Sequence, residues 1–155
     1  MVIPYLYFYF GVLACSESKV SGDSASIEQC AFRDGDSAPC ILEGNLWRAE
    51  SSIGYSVFIA VNAVDPQGYL DITINDNNFF LYNSSGQQMI VEELYCEDVD
   101  EGEESLRCVY SFLPAQYPEV DTNNLDNYRA TAIIRDWEGN ESDETELVIG
   151  EALPD

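Results

Sequence analysis

Residues 128–149 read YRATAIIRDWEGNESDETELVI, and the reading of this stretch decides the fold. Tyr128, Ala130, Ala132 and Ile134 recur at every second position, which puts them on one face of an extended strand. Asp136-Trp-Glu-Gly-Asn-Glu-Ser142 gathers the residues that turns favour, and Glu144 to Ile149 resumes as a closing strand. The same pattern extends backwards. Ser56 to Val64 (SVFIAVNAV) places Val57, Ile59, Val61 and Ala63 on one face, and Asp65-Pro-Gln-Gly68 reads as a turn. Leu70 to Asn75 alternates with Leu70, Ile72 and Ile74 inward. Phe79 to Tyr82, Met89 to Cys96 and Leu106 to Phe112 are further strand-like runs, separated by Asn83-Ser-Ser-Gly86 and the acidic 97–105 segment. No stretch of ten or more residues has helical periodicity, and there is no internal repeat. The pattern predicts an all-β, antiparallel sandwich of about seven short strands.

The 128–149 stretch resembles the last two strands of bacterial immunoglobulin-like, cadherin-like and fibronectin type III-like domains. There a Tyr begins an alternating strand, an Asp ends it, a Gly-Asn turn follows and an alternating strand closes the sheet. SVFIAVNAVDPQGYLDITI is similar to their second and third strands. The resemblance covers roughly residues 50–150 and implies an immunoglobulin-like sandwich with Tyr128 near a tyrosine corner. It implies no function, because a fold of this kind hosts many.

The N-terminus differs in kind. Val2 to Ala14 is uncharged and apolar or aromatic, but its 13 residues are too few to span a bilayer, which needs about 20. The length suits the apolar core of a signal peptide, here residues 1–14. Val12-Leu13-Ala14-Cys15 resembles the lipobox of bacterial lipoproteins, with Leu13 where a smaller residue is commoner and no Lys or Arg before the apolar run. The resemblance implies that Cys15 becomes the lipidated N-terminus of the mature chain and anchors it to a membrane. It implies a bacterial cell envelope; Ser16 rather than Asp after the cysteine favours the outer membrane. Ordinary secretion with Cys15 removed or free, and an unprocessed buried strand, are the alternatives. Residues 15–45 read as a lipid-anchored tether with a disulfide-clipped loop, and residues 46–151 as the sandwich.

Four cysteines remain, Cys30, Cys40, Cys96 and Cys108, an even number that suits an oxidising compartment. Three pairings are open, and the local one, Cys30–Cys40 with Cys96–Cys108, is expected. Pairing Cys96 opposite Cys108 joins two strand-like runs as a hairpin and sets Leu94 opposite Tyr110 on one face. Spacings of ten and twelve do not suit zinc, whose sites use closer pairs.

Six basic residues face 29 acidic ones, for a net charge of −23. Nucleic acid is excluded as a partner, because phosphate binding needs Lys and Arg. The absence of histidine removes the Ser-His-Asp triad, the Cys-His pair and histidine-ligated metals. No catalytic constellation is present, and no enzyme is expected.

Three segments are candidate sites. Residues 97–104 hold six acids in eight positions. Asp98, Asp100 and Glu104 around Gly102 are similar to a calcium loop but lack its register, so a solvated hairpin tip is the first reading and a weak calcium site the second. Asn75-Asp-Asn-Asn78 is similar to a cadherin calcium linker but lacks its flanking Asp and Pro, and reads as a plain turn. Trp137 at a loop tip is a candidate binding anchor, set against the commoner outcome in which such a ring folds back over the sandwich end. Asn83-Ser-Ser and Asn140-Glu-Ser match glycosylation sequons, without meaning in a bacterial lipoprotein. The expectation is a non-enzymatic envelope lipoprotein, an interaction or adhesion module with an unknown protein or glycan partner and no required cofactor. A calcium-assisted or carbohydrate-binding module and a small structural subunit of a secreted assembly are the alternatives.

Overall fold

The computed structural model describes residues 30, 38–52, 54–67, 72, 76–98 and 105–152. They form an all-β sandwich of two sheets. Among them are nine strands: β1 (Cys40–Ser51), β2 (Gly54–Val64), β3 (Asn78–Tyr82), β4 (Gln88–Glu93), β5 (Tyr95–Asp98), β6 (Ser105–Phe112), β7 (Arg129–Ile133), β8 (Thr145–Glu146) and β9 (Val148–Ile149). The first sheet has the order β5-β6-β2-β1-β9 and the second β4-β3-β7-β8. All pairings are antiparallel except β1 with β9. Lettering β1 to β7 as A, B, C, C′, D, E and F, and the β8–β9 segment as G, gives D-E-B-A-G and C′-C-F-G, with G divided between the two sheets.

Alternation builds the core as expected. Val57, Ile59, Val61 and Ala63 of β2 are buried, as are Ala130, Ala132 and Ile134 along β7. They meet Phe79 and Leu81 of β3 and Phe112 of β6 in one cluster, with Tyr128 half-buried against it. Each fully buried side chain of Leu or Phe size stabilises by roughly 1.5–3 kcal/mol relative to exposure. The Tyr128 hydroxyl accepts a hydrogen bond from the backbone N–H of Asp121 at 2.8 Å, seven residues upstream, which is the contact of a tyrosine corner.

Both expected disulfides are present, Cys30–Cys40 and Cys96–Cys108. Cys96 stands directly opposite Cys108 across the β5–β6 pair, and its bond lies in the core. Cys40 stands opposite Val64, one step out of phase with the inward residues of β2, so the Cys30–Cys40 bond sits on the outer side of the first sheet.

The strands depart from expectation in three places. β1 begins at Cys40, inside the stretch assigned to the tether and ahead of the boundary at residue 46. Its register shifts between Ile41 and Glu43, so the alternation that would reveal the strand is broken. The 89–96 run is two strands, one in each sheet. Leu94 makes the crossing, buried, with its N–H donating to the Asn77 carbonyl at 2.7 Å. Leu94 therefore lies outside the β5–β6 ladder in which it was expected to oppose Tyr110. The final run divides in the same way at Leu147, whose N–H donates to the Ala130 carbonyl at 2.9 Å. Leu147 seats over Gly44, where a Cβ would fall 2.5 Å from its Cδ2. These two divisions and β1 add three strands to the expected seven, and the 70–75 run is not among the nine described. Of the expected 70–75 strand only Ile72 is described, buried and bridged to Asp136.

Candidate interaction surfaces

Topology collects the candidate segments at one end of the sandwich. β2 runs into the connection that leads to β3, β5 ends at Asp98 and β6 resumes at Ser105, and β7 runs into the turn at 136–139. The register places Val64, Ser105 and Cys40 together at this end, and Asn78 and Ile133 at the corresponding end of the second sheet. The strand ends Asp98 and Ser105, which flank the acidic segment in sequence, and Trp137 therefore belong to the same end of the molecule. Asp98 closes β5; Asp100 and Glu104 lie outside the described residues, as does Cys15. Among the described residues no group of three or more Cys, Asp or Glu could hold a metal ion.

Trp137 does not fold back. It is 61% exposed, second to Tyr95 among the described large hydrophobics. The turn beneath it is braced by the buried side chain of Asp136, which accepts from the Asn140 N–H and from the Asn140 amide, both at 2.7 Å. The backbone N–H of Asp136 donates to the Asn140 carbonyl, and that of Gly139 to the Asp136 carbonyl. Gly139 has φ +89°, a conformation that glycine adopts without a Cβ penalty. Arg135 beside the turn pairs with Glu141 and reaches Asp76 at 4.0 Å. The Glu141 hydrogen bond is the main cause holding the Arg135 guanidinium above its usual pKa. Asn77 anchors the base of this end. Fully buried, it accepts from the Arg135 N–H at 2.7 Å and lies 3.3 Å from the Cys96 sulfur. The Asn75–Asn78 motif thus supplies an internal bracket; Asn77 is turned into the protein.

The outer face of the first sheet is the surface that sequence reasoning missed. The register aligns Val148, Asn45, Ala60, Val109 and Tyr95 in one row across all five strands. The next row is Trp47, Phe58 and Ser111, followed by Ala49 and Ser56. Trp47 and Phe58 stack with centroids 5.7 Å apart, and Tyr95 is 63% exposed. None of these ten positions is charged, in a chain of 29 acids. Charge returns only in the row Glu43, Asn62, Arg107 and Glu97, nearer the loop end.

The outer face of the second sheet is built otherwise. Phe80 and Tyr82 stack at 6.4 Å, but Arg129 lies 4.5 Å over the Tyr82 ring and pairs with Glu144 at 3.8 Å. Glu93 and Glu146 are exposed at its two edges.

One polar cluster remains, at the far end. The Tyr117 hydroxyl donates to Glu92 and lies 3.5 Å from the Tyr110 hydroxyl. Burial first, and the Glu92 hydrogen bond next, push the Tyr117 phenol above its usual pKa. A phenol held protonated beside a carboxylate is a structural clasp. Comparison with known proteins finds no matching family model, no similar curated protein and no similar solved structure.

Proposed function

We propose that the protein is a non-enzymatic, lipid-anchored interaction module of a bacterial cell envelope, held by Cys15 and presenting Trp137 to its partner. The observation that carries the reading is the exposed Trp137 on a turn fixed by the Asp136–Asn140 bonds. An aromatic anchor on a pre-set turn gives up little freedom on binding, and such residues dominate interface energetics. The anchor rests on the Val12-Leu13-Ala14-Cys15 junction, and the oxidising compartment it implies suits two local disulfides. The partner is a protein or a glycan. The net charge of −23 favours one that tolerates or seeks negative charge.

Two measurements test the parts separately. The intact mass of the mature chain from the host envelope should show acylation beginning at Cys15, lost in Cys15→Ala; an unacylated chain removes the anchor. A photoreactive residue replacing Trp137 should yield a discrete adduct in the native envelope, whereas the same residue at Ser84 should not. Equal labelling at both positions removes Trp137 as the contact.

A further inference from the structure

We infer that the outer face of the first sheet is a membrane-resting face, on which the domain lies against the lipid surface to which it is tethered. The inference rests on the lipid-anchor reading, and three observations support it. The centre of the face is uncharged and carries Phe58 together with Trp47 and Tyr95, whose amphipathic rings favour the boundary between water and lipid. The chain as a whole carries 29 acidic residues against six basic ones. A chain of net charge −23 held near a bilayer turns its uncharged face, rather than its acidic surfaces, toward the lipid, where burying a charge is costly. The chain also departs from this same side, because Cys40 points outward opposite Val64 and its disulfide fixes Cys30 there.

Only residues 16–29 separate Cys15 from Cys30, a stretch that spans at most about 50 Å however it is arranged, so the anchor keeps this face within range of the bilayer. At such effective concentration a contact too weak to hold a free domain suffices. The second sheet's outer face then points away from the lipid, and the Trp137 end lies at the side, open to a partner.

The test uses the chain beginning at Cys15, which retains both disulfides and every described strand, and in which Cys15 is the one cysteine outside them. Coupling Cys15 to a maleimide lipid in phosphatidylcholine vesicles supplies the anchor chemically. The result is then independent of whether the cell acylates Cys15, which the intact mass decides. Flotation confirms anchorage. Trp137→Phe leaves Trp47 as the single tryptophan, and Trp47→Phe leaves Trp137. Phosphatidylcholine brominated in the upper acyl chain should quench Trp47 and spare Trp137. Adding Tyr95→Asp to the Trp47 reporter should abolish the quenching while flotation persists. The inference is overturned if anchored Trp47 stays unquenched or if both tryptophans are quenched alike. Quenching unchanged by Tyr95→Asp, or Trp47 shielded by self-association without vesicles, also overturns it.

Discussion

The two outer faces of the sandwich share one folding logic and diverge in everything that logic leaves free. Under both, alternating residues fill a common core: Val57, Ile59 and Val61 from the first sheet, Phe79, Leu81 and Ala132 from the second. Above the second sheet, aromatic rings are crossed by Arg129 and bordered by Glu144 and Glu146. Above the first, a band across five strands carries no charge. Folding needs apolar residues inside and sets few terms outside, so the contrast between the faces reports what each one meets.

The sharpest way to break the comparison is to cross from inside to outside along one strand. Phe79→Ala should cost about 3–5 kcal/mol in urea unfolding, as a core cavity does. Its outward neighbour Phe80→Ala should cost well under half of that, and equal losses would mean that the second sheet's outer face is itself covered. The disulfides offer the same contrast. Each closes a short loop, for about 3 kcal/mol in the chain-entropy model. Replacing Cys96 and Cys108 by Ser should cost more than replacing Cys30 and Cys40, because the inner pair also leaves polar groups in the core.

Alternation made β2, β6 and β7 legible, since each keeps one phase along its length. The tyrosine corner was legible from Tyr128 alone, because it needs only a hydroxyl at the start of such a strand. β1 was hidden by its shift at Ile41–Glu43, which puts Glu and Gly where a periodic reading wants apolar residues. The crossings at Leu94 and Leu147 were hidden for another reason. A strand that changes sheets keeps its leucine inward while the residues beyond it join a different ladder, and no local pattern records the change. Trp137 could be singled out because a lone ring in a turn is conspicuous. The uncharged face could not be, because its ten positions are scattered over 104 places in the chain and meet only through register.

Smaller effects sharpen the comparison further. Tyr128→Phe, which deletes the hydroxyl bonded to Asp121, should lower unfolding stability by about 1 kcal/mol. Asn140→Ala should cost about as much and also weaken any Trp137-dependent binding, whereas Trp137→Ala should weaken binding with stability unchanged within about 0.5 kcal/mol. The smallest effect is one of pH. The Asn124 amide first, and the Asn123 N–H next, hold the exposed Asp121 carboxyl below its usual 3.8. Its contribution to stability is therefore present above that value and lost as pH falls through the lower, folded-state value. In acid melts Asp121→Asn should flatten this last decline, and an unchanged profile would remove Asp121 from the account.

The pairing of β1 with β9 sets the order in which the sandwich can close. Asn45 bonds to Glu151 across 106 residues, and Gly150 closes onto Leu46 beside it. The first strand of the sandwich has its final neighbour only once the last has emerged, while both cysteine pairs lie within twelve residues of each other. Oxidation can thus run ahead of the slow, long-range closure. A thread emerging N-terminus first would have its clips made and its edge still open, and would be finished by its own tail.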